Sequence, residues 1–308
     1  MDWVMLVGGI ACAALGGELF VRGSVGIARW LRIAPGIVGA TIAAFSTSSP
    51  ELSVSVNAAL AGKPQIGLGD ALGSNVVNVA LILGLALTIS GIRGSRGALR
   101  RDFPVAALVP MLTGVLLIDG VLSRLDGALM LAAFALWLSV TILQARRERS
   151  SAGQTLGEKR PWKAMLGSAL GLAALISAGT LIVTGAKGIA SSFGIAPFVI
   201  GATMVSFGTS APELATTLIA KLRGHDEIGL GTVLGSNLFN GLLIVGVAAS
   251  IRPISVDWRE VAVALGFGVA SLLLVFPTRS ALIPRWRGFA LLTLYAGYVT
   301  AVLRMGPA

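Results

Sequence analysis

The sequence predicts an all-α polytopic membrane protein with ten transmembrane helices, arranged as two inverted repeats of five helices each. Three observations predict this fold. The 308 residues are 55% hydrophobic and only 12% charged, whereas soluble domains are about 25% charged. Apolar runs of membrane-spanning length recur along the chain. A polar motif within one of these runs occurs again 162 residues later.

The ten predicted helices follow from the length of the apolar runs, since about 20 apolar residues span a bilayer as a helix. The candidate segments are residues 3–28, 36–61, 67–90, 103–121, 125–145, 164–190, 195–220, 229–250, 258–276 and 286–304. No basic stretch precedes the first run, so we interpret it as a retained helix and not a cleaved signal peptide. The hydrophilic linker 146–163 separates a first repeat, 1–145, from a second repeat, 164–308.

Basic residues are distributed unevenly between the predicted loops. With the N-terminus outside, 18 of the 24 lysines and arginines fall on the inner side and 6 on the outer side. The positive-inside rule therefore predicts that both termini lie outside and that linker 146–163 is cytoplasmic. The net charge of +10 comes from residues between apolar runs, which favours contact with membrane lipid and not with nucleic acid.

The repeated motif is FSTSSPEL at 45–52 and FGTSAPEL at 207–214. Each copy contains hydroxyl residues, a helix-interrupting proline and a glutamate. Hydrocarbon is an unfavourable surrounding for these groups unless they face the protein interior or a water-filled path. One copy alone would be typical of a simple helix kink. Two matched carboxylates, Glu51 and Glu213, instead indicate the midplane site of a transporter.

The two halves match at one fixed separation, from Ile33 and Ile195 to Asn78 and Asn240, without a gap. Such a register over dozens of residues indicates an internal repeat. Each half has five predicted segments, and an odd number means that the second half enters the membrane from the opposite side. The repeats are therefore predicted to be inverted, an architecture that permits alternating access.

The chemistry of the motif suits a hard cation. Thr47 and Glu51 lie on one helix face with Ser48 beside them, and Pro50 is expected to free the carbonyl near Ser46. Carboxylate, hydroxyl and carbonyl oxygens are the ligands that Ca²⁺ and Na⁺ prefer. The second copy offers the same groups in Thr209, Ser210, Glu213 and the carbonyl near Gly208.

A second polar patch, GSNVVN at 73–78, recurs as GSNLFN at 235–240. Ser74 and Asn78 share one helix face, and we expect Asn78 to reach the site and Asn75 to bond to backbone at a helix break. Hydrogen bonding between helices is the alternative role for these asparagines. The equivalent residues of the second repeat are Ser236, Asn237 and Asn240.

Other polar residues have simpler interpretations. Asp70 either lines the ion path or caps a helix, and its counterpart is Thr232. Glu18 and Arg22 are expected to pair on the first helix, and His225 to be a solvated loop residue. The sequence has no zinc-protease motif, nucleophile elbow or phosphate loop, which argues against an enzyme.

These paired motifs, G-[TS]-S-x-P-E followed by G-S-N-x-x-[ND], resemble the alpha repeats of the cation/Ca²⁺ exchanger superfamily, in particular its prokaryotic sodium/calcium exchanger (calcium/sodium antiporter) family. The resemblance is specific over residues 33–84 and 195–246. It implies ten helices in a plasma (inner) membrane, with interrupted helices 2, 3, 7 and 8 forming an ion-binding core. Helices 1 and 6 would slide past that core.

The resemblance also implies a ligand set. A calcium position would use Thr47, Glu51, Thr209 and Glu213. Flanking sodium positions would add Ser48, Ser74, Ser210 and Ser236, with the carbonyls of Ala44 and Ser206. A central position would involve Asn78 and Asn240. This sequence departs from the family pattern in having Ser46 in place of a glycine and asparagine at both central positions.

The predicted function is a secondary active antiporter that exchanges Na⁺ for Ca²⁺ by alternating access at a midplane site. The partners would be these two ions and membrane lipid, the chain would act as a monomer, and no cofactor is expected. Coupling to H⁺, or transport of Mn²⁺ or Mg²⁺, stays open for the same fold. A cation channel is the alternative of another class, although channels usually oligomerise to build a carboxylate ring.

Overall fold

The computed structural model describes residues 2–60, 62, 64–94, 96–148, 160–192, 206–256, 258–276 and 281–305. Its helices are α1 (Asp2–Leu31), α2 (Pro35–Thr47), α3 (Ser49–Leu60), α4 (Pro64–Ile89), α5 (Arg96–Leu116), α6 (Arg124–Glu148), α7 (Pro161–Ser192), α8 (Ser206–Thr209), α9 (Ala211–Leu222), α10 (Asp226–Ile251), α11 (Trp258–Leu274) and α12 (Trp286–Met305). Helix therefore lies within every predicted segment, and the beginning of segment 195–220 falls outside the described residues.

Several of these helices have the length and apolarity of a membrane span. Among the described residues, five helices meet both criteria, in α4, α6, α7, α10 and α12. The end of α1 and helix α2 form a further candidate pair, bent by 120° at the turn between them. The protein is thus a helical membrane protein.

The break predicted within the repeated motif is present in both copies. Helix α2 ends at Thr47, and Ser48 leaves helical geometry with φ −84° and ψ 8° before α3 begins. Ser210 separates α8 from α9 with φ −82° and ψ 5°. A proline follows each break two residues later, where its missing N–H can be tolerated in the first helical turn.

The prediction of a free carbonyl at Ser46 is wrong. The Ser49 hydroxyl donates to the Ser46 carbonyl oxygen at 2.8 Å, so a serine within the motif satisfies the acceptor that Pro50 cannot. The second copy has Ala211 at the position of Ser49, and an alanine has no hydroxyl to donate. The two copies therefore differ in local backbone pairing.

The interruptions predicted in the third and eighth transmembrane segments, which correspond to α4 and α10, are not breaks. Helix α4 continues without a gap through a π-helical segment, Val77–Leu83, and α10 does so through Phe239–Ile244. A π-helical turn accommodates an extra residue and is frequent at functional sites. The second polar patch thus ends inside a π-helical segment in each repeat, with Asn78 and Asn240 in its first turn.

Glycines allow the helices to approach closely, as is common in membrane proteins. In the contact between α1 and α7, a Cβ atom on Gly171 would lie 2.5 Å from the backbone nitrogen of Phe20. In the contact between α2 and α10, a Cβ atom on Gly39 would lie 2.6 Å from the carbonyl oxygen of Ile228. Both helix pairs join the first half of the chain to the second.

Two short antiparallel ladders also connect the halves. Strand β1 (Ile92–Arg93) pairs with β4 (Leu282–Ile283), and β2 (Val121–Leu122) pairs with β3 (Ile254–Ser255). Ile92 faces Ile283 in one ladder, and Ile254 faces Leu122 in the other. Exchanging the two halves converts one ladder into the other, as expected for halves related by a pseudo-two-fold axis.

The glycine contacts make a testable prediction for stability. Gly171→Leu should lower the melting temperature of the detergent-solubilised protein, because overpacking costs about 1–3 kcal/mol. Gly266→Leu is the matched control, since a Cβ atom on Gly266 meets nothing within 4 Å. Equal melting temperatures for the two variants would contradict the close packing of α1 against α7.

Candidate cation-binding site

The two copies of the motif meet through a reciprocal pair of hydrogen bonds. The Ser48 hydroxyl donates to Glu213 Oε1 at 3.1 Å, and the Ser210 hydroxyl donates to Glu51 Oε1 at 3.4 Å. Exchanging the halves converts one bond into the other, because both serines and both glutamates are 162 residues apart. Each carboxylate is therefore held by a hydroxyl from the opposite copy.

The helix breaks place these groups. Glu51 lies in the first turn of α3 and Glu213 in the first turn of α9. The beginning of a helix carries a partial positive charge from its unpaired N–H groups, which favours a carboxylate there. Each break thus presents a serine at its corner and a glutamate one turn later, and the two corners face each other.

Both carboxylates are fully buried, with 0% of either glutamate exposed. Within the described ranges, Oε2 of Glu51 and Oε2 of Glu213 have no hydrogen-bond partner, and no ion pair engages either residue. Burying an unpaired carboxylate is strongly unfavourable. The arrangement leaves two acceptor oxygens for a positively charged ligand.

The serines of the second patch make unequal contacts. The Ser236 hydroxyl donates to Glu213 Oε1 at 3.1 Å, as expected for a group that shares the site. Ser74 Oγ instead lies 3.4 Å from Thr209 Oγ1. Glu213 Oε1 therefore accepts hydrogen bonds from two serines. Glu51 Oε1 accepts one from Ser210.

The four asparagines make different contacts. Asn75 Nδ2 donates to the Asn237 carbonyl and Asn237 Nδ2 donates to the Asn75 carbonyl, both at 3.3 Å. The acceptors are backbone carbonyls, as predicted, but they lie on the facing helix and not at a helix break, so these bonds join α4 to α10, which is the alternative role. Asn78 Nδ2 donates to Asn237 Oδ1 at 3.2 Å. Asn240 is fully buried, and its amide atoms have no partner in the described part of the chain.

Each threonine of the motif lies near one of the two carbonyls of the expected ligand set. Thr47 Oγ1 lies 3.3 Å from the Ala44 carbonyl oxygen, and Thr209 Oγ1 lies 3.2 Å from that of Ser206. All of the expected site residues are buried: Ala44, Thr47, Ser48, Glu51, Ser74, Asn78, Ser206, Thr209, Ser210, Glu213, Ser236 and Asn240. Their role as ion ligands stays a prediction.

Asp70 belongs to the same hydrogen-bond network. Its side chain is 6% exposed, and Oδ1 accepts from the Thr209 hydroxyl at 3.2 Å. The residue lies within α4, two turns after Pro64, and so does not cap that helix. Of the two alternatives for Asp70, the contact to Thr209 favours a position beside the site.

The donor set is rich in oxygen and poor in the usual transition-metal ligands. Among the residues that the structure describes, no group of three His, Cys, Asp or Glu side chains could hold a metal ion. A cation here would rely on two carboxylates supplemented by hydroxyl, carbonyl and amide oxygens. Hard ions such as Ca²⁺ and Na⁺ accept such ligands, and softer metals favour nitrogen and sulfur.

Outside the site, the predicted pair of Glu18 and Arg22 is present at 3.9 Å, but Arg223 Nη2 lies closer to Glu18, at 2.7 Å. His225 precedes α10 and is half-buried, not fully solvated; burial and the charge of Arg223 lower its pKa.

Sequence reasoning missed one buried ion pair. Arg101 and Asp102 pair at 2.6 Å, and Trp137 Nε1 donates to Asp102 Oδ1 at 3.0 Å. Both partners lie in α5, and the bond from Trp137 links the carboxylate to α6, so protein donors satisfy it. Asp102 lies one residue before the predicted segment 103–121, so the sequence pattern places it outside the membrane-spanning run.

A helical membrane protein with two buried, unpaired carboxylates at the contact between its halves has the features of an ion carrier. The profile of the sodium/calcium exchanger protein family matches residues 1–143 and 163–304. The chain belongs to this family, which confirms the resemblance found in its motifs. The two matched stretches flank the linker that separates the predicted repeats.

Individual relatives also support membership of this family. The chain is 35% identical to the putative antiporter CaxA of Alkalimonas amylolytica over 307 residues, covering 96% of each chain. It is 33% identical to the inner membrane protein YrbG of Escherichia coli, covering 82% of this chain and 81% of that one. A solved structure of the sodium–calcium exchanger NCX_Mj superposes with a TM-score of 0.82 at 31% identity, with 97% of each chain covered.

The unpaired carboxylates make a prediction for stability. In cation-free buffer, Glu51→Gln should raise the melting temperature, because an unsatisfied buried group costs about 1–3 kcal/mol and more when charged. The same variant should lose the rise in melting temperature that Ca²⁺ produces in the unmodified protein. Glu18→Gln, outside the site, should keep that rise. A full calcium response in Glu51→Gln would contradict the site.

Proposed function

We propose that this protein is a secondary active antiporter that exchanges Na⁺ for Ca²⁺ across the membrane. The observation that carries the proposal is the reciprocal contact of Ser48 with Glu213 and Ser210 with Glu51. It brings one carboxylate from each half into a single buried region. Membership of the exchanger family and the similarity to NCX_Mj support the choice of ions.

We propose ten transmembrane helices in two inverted repeats, 1–145 and 164–308, joined by a cytoplasmic linker, 146–163. Both termini would lie outside an inner-membrane-type bilayer, and the chain would act as a monomer. The two exchangeable strand ladders support the inverted relation. Lys221 Nζ donates to the Gly91 carbonyl at 2.8 Å, which supports placing the ends of α4 and α9 on one face.

The proposed ligands follow the same pseudo-symmetry. A Ca²⁺ ion would lie between Glu51 and Glu213, near the threonines of the two motifs. Sodium positions would flank it, next to the serines and the carbonyls of Ala44 and Ser206. The unpaired amide of Asn240 supports a central position shared with Asn78. Each of these donors is oxygen, as hard cations require.

Coupling would arise from charge neutralisation. Ca²⁺ and several Na⁺ ions compete for the same two carboxylates, so either load neutralises the site. A neutral site can switch between its inward-facing and outward-facing states across the low-dielectric barrier. An empty site with two uncompensated charges cannot. The close contact of α1 with α7 through Gly171 suits a pair of helices that move together past the rest.

A second candidate keeps the fold and changes the ions. Both central positions are amides, Asn78 and Asn240, so the centre of the site is less acidic than one with aspartate there. This observation favours testing H⁺ as the coupling ion, and Mn²⁺ or Mg²⁺ as the transported ion. A channel is less well supported, because the paired carboxylates come from a single chain.

The test is uptake of ⁴⁵Ca²⁺ into proteoliposomes driven by an outward sodium gradient at clamped pH. The unmodified protein should accumulate calcium only when the gradient is present. Glu51→Gln and Glu213→Gln should each abolish uptake, because one remaining carboxylate cannot neutralise Ca²⁺. Glu18→Gln serves as the matched control and should retain transport.

Three results would contradict the proposal in different ways. Wild-type uptake in either glutamine variant would remove these carboxylates from the transport site. Uptake that follows a proton gradient and ignores the sodium gradient would favour the second candidate. Unitary current steps in planar bilayers would replace the carrier with a channel.

A further inference from the structure

The largest departure from pseudo-symmetry near the site is at Asp70. Its counterpart in the second half is Thr232, 162 residues later. The Thr232 hydroxyl donates to its own helix, to the Ile228 carbonyl at 2.9 Å. Asp70 instead accepts from Thr209, which belongs to the repeated motif. One flank of the site therefore has a carboxylate where the other has a threonine that bonds within its helix.

The carboxylate of Asp70 is only partly satisfied. Oδ1 accepts one hydrogen bond, and Oδ2 is buried without a partner in the described part of the chain. The ion pairs of the described residues also leave Asp70 without a basic partner. An acceptor of this kind, held beside two other carboxylates, is unfavourable unless a cation or a proton compensates it.

The contacts of Ser74 differ on this flank as well. Its counterpart, Ser236, donates to Glu213, so exact symmetry would direct Ser74 to Glu51. Ser74 lies instead 3.4 Å from Thr209 Oγ1, the same hydroxyl that donates to Asp70. On this flank, the hydrogen bonds of Ser74 and Thr209 thus lead to Asp70. Glu51 therefore has one serine donor fewer than Glu213.

The oxygens near Asp70 lie close to one another. Thr209 Oγ1 is 3.2 Å from each of two acceptors, Asp70 Oδ1 and the Ser206 carbonyl oxygen. It is also 3.4 Å from Ser74 Oγ, another hydroxyl. The flank therefore combines carboxylate, hydroxyl and carbonyl oxygens, which are ligands for hard cations.

We propose that Asp70 is a further cation ligand, which makes its flank of the site bind Na⁺ or Ca²⁺ more strongly than the Thr232 flank. This rests on the proposed function and names a residue that the pseudo-symmetric ligand set lacks. Asp70 adds a carboxylate to the Thr209 flank of a site whose central residues are both amides. When Ca²⁺ lies between the two glutamates, one further monovalent cation on this flank neutralises the charge of Asp70.

The test compares Asp70→Asn with Thr232→Val in purified, detergent-solubilised protein. Equilibrium binding of ⁴⁵Ca²⁺, and its displacement by Na⁺, are measured for both variants and the unmodified protein. Asp70→Asn keeps the shape and the acceptor for Thr209 but removes the charge. Calcium affinity should fall about tenfold or more, because the affinity of such sites follows the charge of their ligands. Thr232→Val should match the unmodified protein both in calcium affinity and in the displacement of calcium by sodium.

Folding is checked by size-exclusion profile and melting temperature. Asp70→Thr gives the first flank the residue found on the second, and serves as an independent variant with the same expected loss. Unchanged calcium affinity in folded Asp70→Asn would overturn the inference. An equal loss of calcium affinity in Thr232→Val would overturn it too. Failure of both Asp70 variants to fold would show that Asp70 has a structural role, and would also overturn it.

The binding measurement separates this inference from the proposed exchange. Unmodified protein that binds calcium but shows no sodium-driven uptake would refute the exchange, and the comparison at Asp70 would still decide the ligand. Sodium-driven uptake together with wild-type binding by Asp70→Asn would support the exchange and refute the ligand. Absence of Na⁺ and Ca²⁺ binding by the unmodified protein would refute both.

Discussion

Two buried carboxylates that have no basic partner among the described residues set the main constraint on this structure. Glu51 and Glu213 are fully buried, and each accepts a hydrogen bond from the other half across the contact between the halves. In a low-dielectric interior, like charges repel strongly and unpaired charges are unfavourable. The serine hydroxyls from the opposite copies offset part of this cost, and one oxygen of each carboxylate is left without a donor in the described part of the chain.

The pseudo-symmetry of the fold serves this site. Each half contributes a broken helix, a serine at the break and a glutamate in the following turn. Each carboxylate accepts a hydrogen bond from the break serine of the other half, and Glu213 also accepts one from Ser236 of its own half. The strand ladders and the glycine contacts of α1 with α7 and α2 with α10 hold the halves in the register that these bonds need.

Physical reasons explain where prediction from the sequence failed. The proline of the motif predicted a break, and Ser48 and Ser210 break the helix in both copies. The polar patch at 73–78 also predicted a break, yet a π-helical segment of α4, Val77–Leu83, preserves backbone hydrogen bonding there. The Ser46 carbonyl was expected to be free, and a neighbouring hydroxyl satisfies it. Such local choices depend on geometry that residue types do not specify.

The sequence by itself determined the class of protein, the positions of the helices and the residues of the repeated motifs, because apolar length and polar periodicity are properties of the chain alone. It left open whether Asn75 and Asn237 bond at a helix break or between helices, and the structure shows bonds between helices. Only the tertiary structure decided which serine reaches which glutamate, since those bonds join residues more than 150 positions apart. It likewise placed Asp70 against Thr209, a contact that depends on how α4 packs against α8.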